Sequence, residues 1–200
     1  MSYRQRARRY INFSLRGFYI VQSPPSISMN SDLSMASLAK LCDANEDLLK
    51  SGIVRVLPPI FRSYGLTQAF SGPIVTLRVY EDNVLVRELI EECRDGDGRV
   101  LLVDGGGSTS CSLMGGNLVM LARNKGWSGI VVNGCVRDVD EINKYDIGIR
   151  ALGSHPMKAK KKGVGEKRVP VIVSGLVIRD GEWLYAGSDG IVVSQTELRC

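Results

Sequence analysis

The chain has 200 residues, 44% of them hydrophobic, which suits one soluble domain with a sizeable core. No apolar run approaches the roughly 18 residues of a membrane-spanning helix. The net charge of +5 suggests an anionic partner, but five of the 26 basic residues (Arg4, Arg6, Arg8, Arg9 and Arg16) lie in positions 1–31, where no Asp or Glu occurs. The remainder is formally neutral, so the basic footprint of direct nucleic-acid binding is missing from most of the chain.

Positions 1–31 read as a basic leader and 32–200 as the folded body. The leader is rich in Arg, contains Ser, and spaces Ile11, Leu15 and Phe18 as a helix would. These are features of a mitochondrial or plastid transit segment. The alternatives are a disordered tail, or an upstream extension with Met29 or Met35 as the working start. The expected location is the cytoplasm or the mitochondrial matrix. Cys42, Cys93, Cys111, Cys135 and Cys200 are odd in number and form no CxxC pair, which favours a reducing compartment.

In the body, positions 34–41 and 46–50 read as short helices, the second capped by Asp43 with Glu46 three residues on. Positions 74–80 alternate as a strand, and 84–93 carry helical periodicity. A buried strand over 99–103 ends in Asp104-Gly105-Gly106-Gly107-Ser108. A helix over 116–124 is stopped by Gly126. A second buried strand covers 129–133, a short helix 139–144 and a strand 147–152. The stretch from Met157 to Arg168 concentrates six positive charges and one negative, and its glycines make it a loop. It is either a solvated loop or a device for steering an anionic substrate or partner. Short strands follow at 169–173, 176–178, 183–185 and 191–193, with Asp180-Gly181 as a hairpin turn signal. The pattern predicts a single mixed α/β domain, with central βα crossovers and a largely antiparallel C-terminal layer.

Two turns carry the chemistry. Gly115-Gly116-Asn117-Leu118 opens a helix, where free N–H groups and the helix dipole can cradle an anion, although a tight structural turn explains the glycines as well. Arg137-Asp138 lies at the carboxyl end of a buried strand, where ligands bind in open α/β sheets. Arg137 offers a charged fork to a carboxylate or enolate oxygen. Asp138 offers a hard oxygen to Mg²⁺ or Mn²⁺. The plain alternative is a helix-capping aspartate beside a surface arginine. Glu141 lies one helical turn beyond Asp138 and can orient a bound water; Asp104, ending its strand on the same side of the sheet, is a candidate acid or base.

Gly105-Gly106-Gly107 fits neither a P-loop nor a dinucleotide fingerprint, because no Gly-Lys-Ser/Thr follows and the sixth position is Ser110. Close packing explains these glycines better than a methyltransferase-like loop does. His155, the single histidine, precedes Pro156 and reads as a strand-end residue.

These motifs resemble the RraA-like family, which includes 4-hydroxy-4-methyl-2-oxoglutarate (HMG) aldolases and regulators of ribonuclease E. The resemblance spans residues 41–197. It rests on Cys42-Asp43-Ala44-Asn45, Phe70-Ser71-Gly72-Pro73, the loop after Val103, Gly115-Gly116-Asn117-Leu118, Gly134-Cys135-Val136-Arg137-Asp138 and Asp146-Ile147-Gly148-Ile149, with Trp183-Leu184-Tyr185-Ala186 and Asp189-Gly190-Ile191 adding to it. The aldolase branch is marked by Gly, twenty residues, Arg-Asp, two residues and an acid, matched here at Gly116, Arg137, Asp138 and Glu141.

The resemblance implies a layered β/β/α, swivelling-domain-like fold and a homotrimer or dimer of trimers with sites between subunits. It also implies a class II, divalent-metal-dependent lyase that cleaves HMG to two pyruvates and decarboxylates oxaloacetate. Gly115–Leu118 and Arg137 would bind the small 2-oxo acid, and Asp138 the Mg²⁺ or Mn²⁺. Some relatives add a glutamate from a longer C-terminal helix of a neighbour; this chain ends at Cys200, and Glu197 does not match it. The second reading is a non-catalytic protein that binds and inhibits a ribonuclease E-like enzyme.

Overall fold

A computed structural model describes residues 37–92 and 98–198. The leader, the first residues of the helix expected from position 34, and Cys93 and Cys200 lie outside the described residues.

Two short helices come first, α1 (Leu38–Ala44) and α2 (Glu46–Lys50). Ser37 caps α1 through its hydroxyl, and the residue before α2 is Asn45, not Asp43, which is absorbed into α1. Then come β1 (Val54–Val56), β2 (Arg62–Tyr64), β3 (Phe70–Val79), α3 (Val84–Glu92), β4 (Val100–Asp104), β5 (Ser112–Met114) and α4 (Gly116–Asn124). The chain continues through β6 (Gly129–Val136), α5 (Val139–Ile142), β7 (Gly148–Ser154), β8 (Gly165–Lys167), β9 (Val171–Val173), β10 (Leu176–Ile178), β11 (Trp183–Gly187) and β12 (Gly190–Ser194).

The main sheet has the order β1-β12-β11-β3-β4-β6-β7-β2, with β5 beside β6 and β8 beside β3. β3, β4, β6 and β7 are parallel, each joined to the next through a helical connection. β3 changes partner along its length. Phe70 to Pro73 pair with β11, and Ile74 to Arg78 pair with β4.

Period-two alternation sorts the strand side chains to two cores. Val75, Leu77, Leu101, Val103, Ile130 and Val132 face α3, α4 and α5, where Leu89, Val119 and Ile142 meet them. Ile74, Val100, Leu102 and Val131 face the other way, onto Val171, Val173 and Ile178 of the β9–β10 hairpin and Leu184 and Val193 of β11 and β12. That second core joins both halves of the sheet, so the sheet curls back around the hairpin. The result is the expected mixed α/β domain, layered β/β/α with central βα crossovers and an antiparallel C-terminal part. α1 and α2 pack outside it, on Tyr185 and Val192.

Asp180-Gly181 is not a hairpin turn, because β10 pairs with β9 and β11 pairs with β3 and β12. Instead Gly181 N–H donates to the Ile74 carbonyl at 2.9 Å, and the Asp180 carboxylate accepts from Thr76 N–H at 2.9 Å. The tight turn is at Ser174-Gly175, where both residues have positive φ, 50° and 82°, as a type I′ turn requires. The lysine-rich stretch is also more than a loop, since its end forms β8 against β3.

Candidate active site

β6 outruns β4. β4 covers it as far as Asn133, and β5 takes over opposite Cys135 and Val136. The sequence pattern for this strand stopped at 133, but Gly134, Cys135 and Val136 are strand residues as well. Just past them, Arg137 N–H donates to the Met114 carbonyl at 2.9 Å. That bond sets Gly115-Gly116 beside Arg137-Asp138, although twenty residues separate Gly116 from Arg137.

Asp138 occupies the capping position of α5, yet its side chain makes no capping bond. Its backbone is left-handed, φ 59° and ψ 43°, a conformation that a short polar residue tolerates better than most. Such backbones cost on the order of 1 kcal/mol and cluster at functional sites. Its Oδ2 accepts from Gly116 N–H at 3.3 Å and lies 3.6 Å from Arg137 Nε. The capping alternative is therefore met in position but not in bonding.

The two glycines are there for close approach. A Cβ on Gly115 would stand 2.7 Å from Asp138 Oδ2 and 3.1 Å from Arg137 Nε; one on Gly116 would stand 2.3 Å from Glu141 Oε2. Arg137, Asp138 and Glu141 thus converge on the first turn of α4, at the positive end of its dipole. Asn117 is exposed, and its N–H lies in the first turn, without an intrahelical acceptor. Leu118 turns its side chain into the core, and its N–H returns to the Gly115 carbonyl at 3.0 Å. The side chains of Arg137 and Asp138 are 38% and 43% exposed, open to a small ligand.

Asp104 belongs to a different cluster. Its Oδ1 accepts from Asn133 Nδ2 at 2.8 Å and from Gly106 N–H at 2.9 Å. Gly105 and Gly107 donate to the Asn133 carbonyl at 3.0 and 3.1 Å. The amides of Gly105, Gly106 and Gly107 are thus taken up by Asn133 and Asp104, as in a packing loop and unlike an anion cradle. Asp104 forms no bond with Arg137, Asp138 or Glu141 among the described residues. His155 is a strand-end residue, its N–H on the Val136 carbonyl at 2.8 Å.

Three contributors lacked an obvious signal. Tyr145 donates its hydroxyl to Glu141 Oε1 at 2.5 Å, a bond that pushes the phenol above its ordinary range. The spacing of four from Glu141 was the one available clue. Asn133 is placed opposite Asp104 by strand register alone. Asp82, 1% exposed, accepts from Val84, Lys162 and Gly163 N–H groups and pins the lysine-rich stretch. From His155 onward that stretch runs as a strap past the end of β6, along Ser112, to Glu81 and Asp82 beyond β3. It crosses the same sheet edge that carries Arg137.

Among the described residues, no group of three or more His, Cys, Asp or Glu side chains is placed to hold a metal. Any cation here would take Asp138 as its protein ligand and complete its shell with water and substrate. Mg²⁺ binds in that manner, through one or two carboxylates, and hard-oxygen chemistry suits Mn²⁺ also.

The RraA-like model, described as Aldolase/RraA, matches residues 38–193. A putative 4-hydroxy-4-methyl-2-oxoglutarate aldolase 2 of Arabidopsis thaliana is 61% identical over 166 residues, covering 83% of this chain and 99% of the relative. Among solved structures, one described as the RNA-processing inhibitor RraA of Thermus thermophilis aligns with TM-score 0.75 at 41% identity, over 82% of this chain and 95% of that one. Another, described as an S-adenosylmethionine: 2-dimethylmenaquinone methyltransferase of Geobacillus kaustophilus, aligns with TM-score 0.75 at 40% identity, over 81% and 96%.

Proposed function

Because the chain belongs to the RraA-like family, we propose that its site breaks a carbon–carbon bond in a small 2-oxo acid. The reactions are cleavage of HMG to two pyruvates and decarboxylation of oxaloacetate, both through pyruvate enolate. The observation that carries this reading is the convergence of Arg137, Asp138 and Glu141 on the Gly115-Gly116 turn. A surface that only docks a protein has no need of a guanidinium and two carboxylates packed onto one helix start.

Asp138 would hold a divalent cation, Mg²⁺ or Mn²⁺, which when bound supplies Lewis-acid polarisation of the 2-oxo group. Arg137 pairs its fork with the substrate carboxylate and the oxygen that becomes the enolate. The Asn117 N–H and the helix dipole favour the same negative charge. In HMG, a water ordered by Glu141 takes the proton of the C4 hydroxyl, the C3–C4 bond breaks, and C3 of the enolate is then protonated. In oxaloacetate, carbon dioxide leaves and the same enolate remains. Asp104, bonded to Asn133 and Gly106 and apart from this cluster, leaves the water-ordering role to Glu141. Active sites completed between subunits of a homotrimer belong to the same proposal, with light scattering as the measurement.

The alternative is a non-catalytic inhibitor of a ribonuclease E-like enzyme, favoured by the likeness to the Thermus protein. A methyltransferase is disfavoured by the glycine loop, whose amides are taken up by Asn133 and Asp104. Purified protein is assayed with oxaloacetate and HMG, with EDTA and then with added Mg²⁺ or Mn²⁺. Turnover that EDTA removes and the cation restores is expected. Borohydride with pyruvate should leave the enzyme active, since Lys158, Lys160, Lys161 and Lys162 are exposed and lack the apolar pocket that a Schiff-base lysine needs. No turnover of either substrate would move the reading to the inhibitor. Pyruvate trapped on a lysine, with EDTA harmless, would overturn the metal assignment.

A further inference from the structure

We propose that Tyr145 is a positioning residue of this site, holding the Glu141 carboxylate over the first turn of α4; the inference rests on the functional reading above. Glu141 is exposed, and a free glutamate there would sample many rotamers in water. Tyr145 restricts it. The Tyr145 ring packs against the helix-side core, and its backbone is fixed on both sides. Its N–H donates to the Ile142 carbonyl at 3.0 Å, and its own carbonyl accepts from Leu66 and Ile147 N–H groups, each at 3.0 Å.

An aromatic ring anchored this way carries a hydroxyl at a fixed point with little entropy to lose. That hydroxyl takes Glu141 Oε1 at 2.5 Å. The whole carboxylate then lies in the space a Gly116 side chain would fill, with Oε2 nearest that Cβ position at 2.3 Å and Oε1 at 2.8 Å. Tethering Oε1 thus fixes the carboxylate as a unit against the cradle. Arg123 is the further charged group acting on the phenol, and it favours the ionised form that Glu141 opposes. A hydrogen bond spaced by four residues can also merely steady α5. The two roles differ in what they move.

The test compares wild type with Tyr145→Phe, Glu141→Gln and the double variant, in HMG cleavage at saturating Mg²⁺, where Glu141 orders the water that takes the hydroxyl proton, and in thermal unfolding. Tyr145→Phe removes a single oxygen and keeps the ring in the core. We expect kcat to fall about tenfold, the low end for a lost bond to a charged group, with KM and Tm close to wild type. The double variant should be no slower than Glu141→Gln alone, because the tyrosine acts only through that carboxylate. Wild-type kcat in Tyr145→Phe, or losses that simply add, would overturn the proposal, as would a lowered Tm with kcat intact. If the wild type turns over neither substrate, the functional reading fails instead. The contact is then still read by NMR titration of Tyr145: a phenol that titrates no higher than in Glu141→Gln would remove the tether itself.

Discussion

Asp138 separates chemistry from folding more cleanly than any other residue of the site. Among the described residues its side chain accepts one hydrogen bond, from Gly116 N–H, which is long at 3.3 Å and solvent-accessible, so its loss costs little stability. Asparagine tolerates the left-handed backbone as aspartate does but carries no charge. Asp138→Asn should therefore fold normally and lose at least about 10²-fold in kcat, the usual cost of one stabilising group; circular dichroism and the decarboxylase assay check both halves. Full turnover by that variant would remove Asp138 from the chemistry. Arg137→Lys should lose a similar factor despite keeping the charge, since an ammonium cannot reproduce a planar two-pronged contact. A variant within about threefold of wild type, well inside the usual cost of a lost donor, would make Arg137 structural. The nearness of Gly116, Arg137, Asp138 and Glu141 was legible in their spacing because two consecutive βα units bring their carboxyl ends together. Tyr145 and Asn133 were not. Their roles depend on one side chain reaching another, and neither residue type signals that by itself.

At the level of elements, long and strongly patterned segments were legible, as were the short strands of the local β9–β10 hairpin, whereas three-residue strands with distant partners were not. α4 appears at the bounds its glycines and periodicity predict, and β4 within one residue. β1, β2, β5 and β8 have three residues each and depend on partners distant in sequence, so they left no pattern to read. β3 starts earlier than its alternation because Phe70 to Pro73 pair with β11 instead of β4. Asp82 shows how one side chain can hold such a long-range arrangement. Burial pushes its carboxyl pKa up, but backbone N–H donors from Val84, Lys162, Gly163 and Val164 more than offset this, and it ends below the ordinary value. A depressed carboxyl pKa contributes stability that is present above the unfolded value, about 3.9, and is lost as pH falls through the folded one. Asp82→Ala should then cost about 1–3 kcal/mol at neutral pH, with several part-buried backbone donors losing their acceptor. In urea unfolding across a pH series, the gap to wild type should narrow below about pH 4. A constant gap would mean that the carboxylate's charge contributes nothing.

The whole molecule divides its charge unevenly. The family match begins at residue 38, and 166 residues of this chain align with 99% of the Arabidopsis relative. A chain beginning at Met35 keeps every residue of the site and the capping Ser37. It should assemble and turn over like the full protein, and a fusion of positions 1–31 to a fluorescent protein would report whether they direct it to mitochondria. Loss of assembly in the shorter chain would make the leader part of the folded body. The remaining positive charge is concentrated on the strap. Lys160 is paired with Glu81, Lys167 with Glu88 and Glu92, and Arg168 with Asp180. Lys158, Lys161 and Lys162 are exposed, and none of them forms an ion pair among the described residues. Asp82 and the backbone bonds to Ser112 and Glu81 hold these three charges along the sheet edge that carries Arg137. Fixed charges of one sign beside a site raise the encounter rate of an opposite-sign substrate, and salt screens them over about 8 Å at physiological ionic strength. Replacing all three by Gln should therefore lower kcat/KM for dianionic oxaloacetate several-fold at low salt, leave kcat nearly unchanged, and flatten the salt dependence. The strap's backbone bonds do not involve those side chains, so Tm should hold. A large fall in kcat would instead put one of the lysines in contact with the reacting atoms, and an unchanged kcat/KM at low salt would leave the strap a solvated loop.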